Sequence, residues 1–206
     1  MRTYLTAVPT IGVLALQGDV AEHVAVLRSL DVPVVRVLSP EHLDAVDGMV
    51  LPGGESTTMS KLALRYGLME PLRERVAAGM PAYGTCAGMI MLADEILGGT
   101  DDQRTVGGID MTVRRNAFGR QRESFEARVP IDRIGGGPFE AVFIRAPWVE
   151  RVGSGVIVLG EVKGPGEAGR IVAVLQGGLM ATSFHPELTG DARIHRLFVD
   201  IVKGHA

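Results

Sequence analysis

Cysteine is nearly missing from this chain: one, Cys86, in 206 residues. A lone thiol excludes an intrachain disulfide and a multi-cysteine zinc site, and it fits a reducing compartment. Excess charge is missing too. Twenty-one Lys and Arg against 24 Asp and Glu leave a net charge of −3 and a sequence pI of about 6.0. That leaves no electrostatic footprint for nucleic acid or an anionic membrane. No apolar run is long enough to span a bilayer, and residues 1–9 lack the long apolar core of a secretory signal. The expectation is a cytoplasmic protein that binds neither nucleic acid nor membrane. No two histidines stand at ligand spacing, so no metal is expected; no other cofactor is expected either.

What is present is ordinary for a soluble globular protein: 46% hydrophobic and 22% charged residues. The length suits one domain over residues 1–206 with a sizeable core, and residues 1–9 are expected to form a disordered extension. There is no internal repeat, low-complexity tract or linker. The 27 glycines point to many turns or close backbone approaches.

The first half alternates strands and helices. Apolar runs at Thr10–Leu16, Pro33–Leu38, Gly48–Leu51 and Pro81–Gly84 read as strands. Helical spacing marks Val20–Leu30, with Asp19 as N-cap, then Thr57–Ala78 with an interruption near Gly67 or Pro71, then Ala87–Leu97 closed by Gly98 and Gly99. After Gly99 the pattern changes. Ile109–Arg114, Phe125–Val129, Ala141–Ile144, Val156–Leu159, Ile171–Leu175 and Leu179–Ser183 read as strands that include antiparallel pairs, and Asp191–Val202 as a closing helix. The reading is an α/β fold: a mainly parallel sheet between helices, with antiparallel strands in the second half.

In such sheets functional groups gather at the carboxyl ends of the strands. Four strand ends here carry unusual chemistry: Gln17-Gly18, Pro52-Gly53-Gly54-Glu55-Ser56, Gly84-Thr85-Cys86-Ala87-Gly88, and Phe184-His185-Pro186-Glu187. Glycines two residues before and after Cys86 permit a sharp strand-to-helix turn that exposes a nucleophile at a helix N-terminus. A cysteine nucleophile needs a base, and His185 has the best context of the five histidines. In an extended segment Glu187 faces the same way as His185 and sets its tautomer, the third-group role of a triad. The Ala87 N–H and the Gly53-Gly54 turn are candidate oxyanion donors. Taken singly, each feature has a plainer reading: a packed thiol, a structural histidine, and a glycine turn with Thr57 or Thr58 capping the next helix.

Gly-Thr-Cys-Ala-Gly together with Phe-His-Pro-Glu-Leu resembles the class I glutamine amidotransferases of Cys-His-Glu type. Leu14–His23, Leu51–Met59, Arg115–Gln121 and Phe143–Pro147 narrow the resemblance to the glutaminase subunit of pyridoxal 5′-phosphate synthase. It runs from about Ile11 to Val202. It implies a flavodoxin-like three-layer sandwich and hydrolysis of L-glutamine to L-glutamate and ammonia. The ammonia would pass to a (β/α)8-barrel synthase subunit in a hetero-oligomeric complex. Carried onto this chain, Cys86, His185 and Glu187 match the triad. Gly54, Glu55 and Ser56 match a glutamine-binding loop, and Arg115, Ile144 and Arg145 match further glutamine contacts. Gln17 and His23 fall in a segment near the partner interface and the oxyanion loop. Glutamine's α-carboxylate would suit Arg115 or Arg145, and its α-ammonium Glu55 or the Ile144 carbonyl. Trp148 departs from the pattern, where a smaller or polar residue is expected, and Gly160–Gly169 reads as a variable loop. The alternatives are an amidotransferase of another pathway, a cysteine peptidase or γ-glutamyl hydrolase on a similar sheet, and a binding module that keeps the sheet without the chemistry.

Overall fold

Strands β1 (Ile11–Leu14), β2 (Val34–Val37), β3 (Gly48–Leu51), β4 (Ala82–Thr85) and β12 (Leu179–Thr182) lie side by side in the order β2-β1-β3-β4-β12, all parallel. The structure is a computed structural model and describes residues 8–117, 124–162 and 169–204. Beyond β12 the sheet continues through β11 (Arg170–Gln176), β9 (Trp148–Val152), β6 (Ile109–Arg114) and β5 (Ala93–Leu97), with β10 (Ile157–Val162) also on β11. The β12-β11, β11-β9, β9-β6 and β10-β11 pairings are antiparallel. Strands β7 (Ser124–Val129) and β8 (Phe139–Ile144) form a separate antiparallel pair.

Period-two side-chain alternation sorts the core into two layers. Leu14, Met49, Leu51, Ala82 and Ala181 face one cluster, covered by α2 (Ser56–Arg65), α3 (Met69–Ala77) and α4 (Ala87–Leu92). Ile11, Val13, Val50, Tyr83 and Met180 face the other, covered by α1 (Val20–Ser29), α5 (Arg193–Val202) and the β7-β8 pair. The α5 stripe is the expected one, with Ile194, Leu197 and Phe198 buried. These layers realise the flavodoxin-like sandwich with antiparallel strands in its second half.

Three sequence expectations need correction. The Thr57–Ala78 helix is two helices, broken at Gly67, whose φ of +68° favours glycine. Pro71 sits inside the first turn of α3, where its missing N–H costs nothing. The Ala87–Leu97 helix stops at Leu92, and Ala93–Leu97 is a strand parallel to β6. Its carboxylates explain the change. Asp94 accepts from the Gly108 N–H at 2.8 Å and Glu95 from the Thr112 hydroxyl at 2.7 Å, so both are spent on the β6 side. Finally, β9 was not anticipated. Trp148 begins it, donates Nε1–H to Glu150 at 2.9 Å, and lies under the Arg170 guanidinium at 4.3 Å. Of the expected variable loop, residues 160–162 belong to β10, and 163–168 lie outside the described residues, as do most of the N-terminal extension and residues 118–121.

The glycines around Cys86 serve packing rather than the turn itself. Neither has positive φ. A Cβ on Gly84 would strike the Gly88 carbonyl, and one on Gly88 would strike the Leu51 carbonyl of β3. Helix α4 thus lies directly on the sheet backbone. Substituting Gly88→Ala should therefore destabilise the fold by about 3 kcal/mol or more, read as a lower urea midpoint, since backbone must shift to admit the methyl.

Candidate active site

Strand β4 pairs with β12 in parallel, with Thr85 opposite Thr182. One residue beyond, Cys86 donates its N–H to the Thr182 carbonyl at 2.8 Å. Three residues beyond Thr182, His185 donates its N–H to the Val142 carbonyl of β8, also at 2.8 Å. Neighbouring strand ends therefore bring together two residues that are 99 positions apart in sequence. Cys86 stands at φ +47°, ψ −101°, an unfavourable region for a residue with a Cβ, costing about 1–3 kcal/mol. This strained turn is the elbow expected from the sequence, and the strain falls on the cysteine itself.

The His185 Nδ1 faces Glu187 Oε1 at 2.8 Å. The reason differs from the sequence argument: Pro186–Leu188 is a 3-10 turn, not extended chain, and the turn folds the carboxylate back onto its own histidine. A second carboxylate also reaches Nδ1, Asp19 Oδ2 at 3.2 Å. Asp19 stands at the N-cap position of α1 yet makes no side-chain capping bond. Its carboxylate serves the imidazole instead. The Cys86 thiol is a third group that favours a proton on the same ring. Burial draws the His185 proton off, but Asp19, Cys86 and Glu187 outweigh it and push the pKa up to about 12. Burial pushes the Glu187 carboxyl above its ordinary value against the pull of His185.

These groups open onto a cavity of about 360 Å³ walled by Gln17, Asp19, Gly54, Glu55, Ser56, Cys86, Ala87, Arg115, Ile144, Arg145 and His185, among others. All the residues expected to contact glutamine are brought to it. Their duties divide more finely than the sequence allowed. Glu55, not Thr57 or Thr58, caps α2: its carboxylate accepts from the Thr57 and Thr58 N–H groups at 3.0 and 2.6 Å. Burial pushes its pKa up, and hydrogen bonds from Thr58 and Thr57 win, bringing it down to about 2. Arg115 is no loose surface charge. It pairs with Glu55 at 3.0 Å and donates to Thr57 and Gln103, so it braces the loop from the cavity wall. Arg145 is exposed at φ +43° and makes no ion pair among the described residues. The Ile144 carbonyl lies 3.9 Å from the Cys86 sulfur.

Gly53 and Gly54 are required by close approach. A Cβ on Gly53 would run into the His185 ring and stand 2.8 Å from Asp19 Oδ2; one on Gly54, at φ +151°, would meet the Gln17 amide. Gln17 Oε1 accepts from the Glu55 N–H at 2.8 Å, and the Gly53 carbonyl accepts from the Asp19 N–H at 3.1 Å. The Gly53-Gly54 turn is thus tied to the Gln17–Asp19 segment through both backbone and side chain. Ser56 is buried and accepts from Gln103 at 3.0 Å. His23, in the segment expected near the partner interface and the oxyanion loop, is fully buried behind Glu187. The sequence reading gave Asp19 only a capping role. Its place two residues after Gln17 at a strand end was the available signal.

A strained thiol at an elbow, an imidazole fixed by carboxylates and a polar cavity define a cysteine amidase of the glutamine amidotransferase class. The chain belongs to that class: residues 13–203 match the SNO glutamine amidotransferase family. Among curated proteins it is similar to the pyridoxal 5′-phosphate synthase subunit PdxT of a Nocardioides species, 63% identical over 198 residues that cover 96% of this chain and 98% of the relative. It is likewise 64% identical over 195 residues to PdxT of Streptomyces griseus, covering 95% and 96%. A solved structure titled as a glutamine amidotransferase superposes with a TM-score of 0.86 at 46% identity, covering 94% of this chain and 98% of that one.

Two outcomes test the geometry. The Glu55 carboxyl is held below its unfolded value, so the stability it adds is present above pH 4.5 and lost as pH falls toward 2. Glu55→Gln should cost about 1 kcal/mol at pH 7 in urea unfolding, and the gap to wild type should shrink steadily below pH 4.5. For Asp19→Asn, one of the groups holding the His185 proton is removed. The alkaline limb of Cys86 alkylation against pH should then move about one unit lower; an unmoved limb would show that Asp19 is a bystander.

Proposed function

We propose that Cys86, His185 and Glu187 hydrolyse the side-chain amide of L-glutamine, with Arg145 receiving the α-carboxylate and the Ile144 carbonyl the α-ammonium. As a member of its family the chain is a glutaminase that releases ammonia for pyridoxal 5′-phosphate synthesis. The observation that carries the residue assignment is the strained Cys86 turn facing an imidazole whose far nitrogen is held by Glu187. In this reading the Cys86 thiolate attacks the amide carbon. The Ala87 N–H and the Gly53-Gly54 backbone receive the developing oxyanion. His185 gives its proton to the departing ammonia, leaving a γ-glutamyl thioester. Water, deprotonated by His185, then releases glutamate.

The relatives' name supports assembly with a synthase. We take that partner to be the barrel subunit that consumes the ammonia, in a hetero-oligomeric complex. Residues 1–206 then form one amidotransferase domain acting in the cytoplasm. Among the described residues no helix is long and apolar enough to cross a membrane. The ties between the Gly53-Gly54 peptide and Asp19 and Gln17 offer a route by which docking could reset the oxyanion loop. A partner displacing the Gln17–Asp19 segment would free the Gly53 carbonyl from the Asp19 N–H.

The test is ammonia release from glutamine by the purified chain with and without its cognate synthase subunit. Wild type should be slow alone and faster in the complex. Cys86→Ala should lose about a thousandfold or more in kcat in both settings. Full activity alone would sink the switch, and an active Cys86→Ala would sink the triad.

A further inference from the structure

Behind the triad lies a polar cluster that the mechanism does not use. His23, Thr85 and His195 are each fully buried. His23 Nδ1 stands 2.9 Å from His195 Nε2, and His23 Nε2 stands 3.1 Å from Thr85 Oγ1. The same Nε2 is 3.5 Å from Glu187 Oε2, the outer oxygen of the triad carboxylate. Tyr83 packs edge-on against His195, with ring centroids 6.0 Å apart, and its hydroxyl is taken by Thr182 at 2.9 Å. Two atoms of this cluster lack a hydrogen-bond partner: Glu187 Oε2 and His195 Nδ1.

Those two orphans fix the proton order. Each neutral imidazole has one N–H and one bare nitrogen. Were His195 protonated on Nδ1, a buried N–H would be orphaned, a rare and costly state. His23 would then donate to His195 and turn a bare Nε2 toward a carboxylate oxygen, lone pair against lone pair. The opposite order avoids both penalties. His195 Nε2–H donates to His23 Nδ1, and His23 turns Nε2–H toward Thr85 Oγ1 and Glu187 Oε2. Only a bare acceptor, His195 Nδ1, is left without a partner. Burial keeps both rings neutral: it holds His23 well below its ordinary pKa, with help from His195 and His185, and lowers His195 to about 4.

We infer that His23, backed by His195, is a positioning residue for the hydrolysis: its Nε2–H holds the outer oxygen of Glu187, so that the inner oxygen stays on His185 Nδ1. At 3.5 Å the contact is longer than a full hydrogen bond. It acts as an oriented dipole beside a buried carboxylate whose other neighbours include His185, its own backbone N–H and, less directly, Asp19 and Tyr83. By favouring the ionised carboxylate, it extends to lower pH the range over which Glu187 can accept from His185. The inference rests on the triad reading above.

The experiment measures glutamine hydrolysis against pH for the full chain with its cognate synthase subunit, in wild type, His23→Phe, His23→Gln and His195→Phe. Gln keeps an N–H donor at the position of Nε2, whereas Phe keeps only the volume. For His23→Phe, kcat should fall about tenfold or more while KM stays within about twofold. The acid limb should move to higher pH by about half a unit, because the Glu187 carboxylate is less favoured. His23→Gln should restore most of the rate and return the limb. His195→Phe leaves His23 free to take the other tautomer and should move the limb the same way, which covers a His23→Phe that fails to fold. An unmoved limb in the folded variants, or equal loss in Phe and Gln, would reduce His23 to packing and overturn the inference. Wild type inert toward glutamine, or an active Cys86→Ala, would instead defeat the triad reading beneath it.

Discussion

The parallel pairing of β4 with β12 is the constraint on which the site depends. It is backbone chemistry: four paired positions, ending with Thr85 against Thr182, and one further bond from the Cys86 N–H to the Thr182 carbonyl. Cys86 and His185 follow different strands, and only this register sets them at the same height. A shift by one residue would turn each alternate side chain to the opposite layer, and with them Tyr83 and Met180. The glycines at 84 and 88 serve the same constraint. They let α4 rest on β3 so that the chain can leave the sheet immediately after the cysteine.

Electrostatics around His185 follow from that placement. Burial opposes a charged imidazole, and two carboxylates with a thiol overcome it. Glu187 is supplied by the turn that follows the histidine, Asp19 by the segment after β1, Cys86 by β4. Three separate strand ends therefore meet at one ring. The Gly53-Gly54 turn is bound to the same Asp19 through its backbone N–H, so the His185 ring and that turn share a support.

Much of this was legible in the sequence because the signals were local. Apolar runs followed by glycine turns marked β1 to β4, and the stripe of α5 followed from helical spacing. Cys86, His185 and Glu187 stood out because their residue types, flanking glycine or proline and strand-end positions agreed. Local signals also misled. Ala87–Leu97 has a helix former's composition, yet Asp94 and Glu95 gain more by bonding β6. Strand β9 gave no clear pattern, because its place is set by β6 and β11, distant in sequence. Glu55 and Arg115 both looked like glutamine contacts; the fold spends part of each on capping α2 and bracing the loop.

By itself the sequence determined the alternation of strands and helices, the elbow cysteine and a histidine with a carboxylate two residues on. These are fixed by neighbours along the chain, where periodicity and turn chemistry act. Only the tertiary structure decided that Asp19 reaches the His185 ring, that Arg115 is spent on Glu55, Thr57 and Gln103, and that His23 and His195 lie buried behind Glu187. Each of these depends on contacts between segments tens to more than a hundred residues apart, and on burial, which makes an unpaired proton or charge costly enough to dictate its partner.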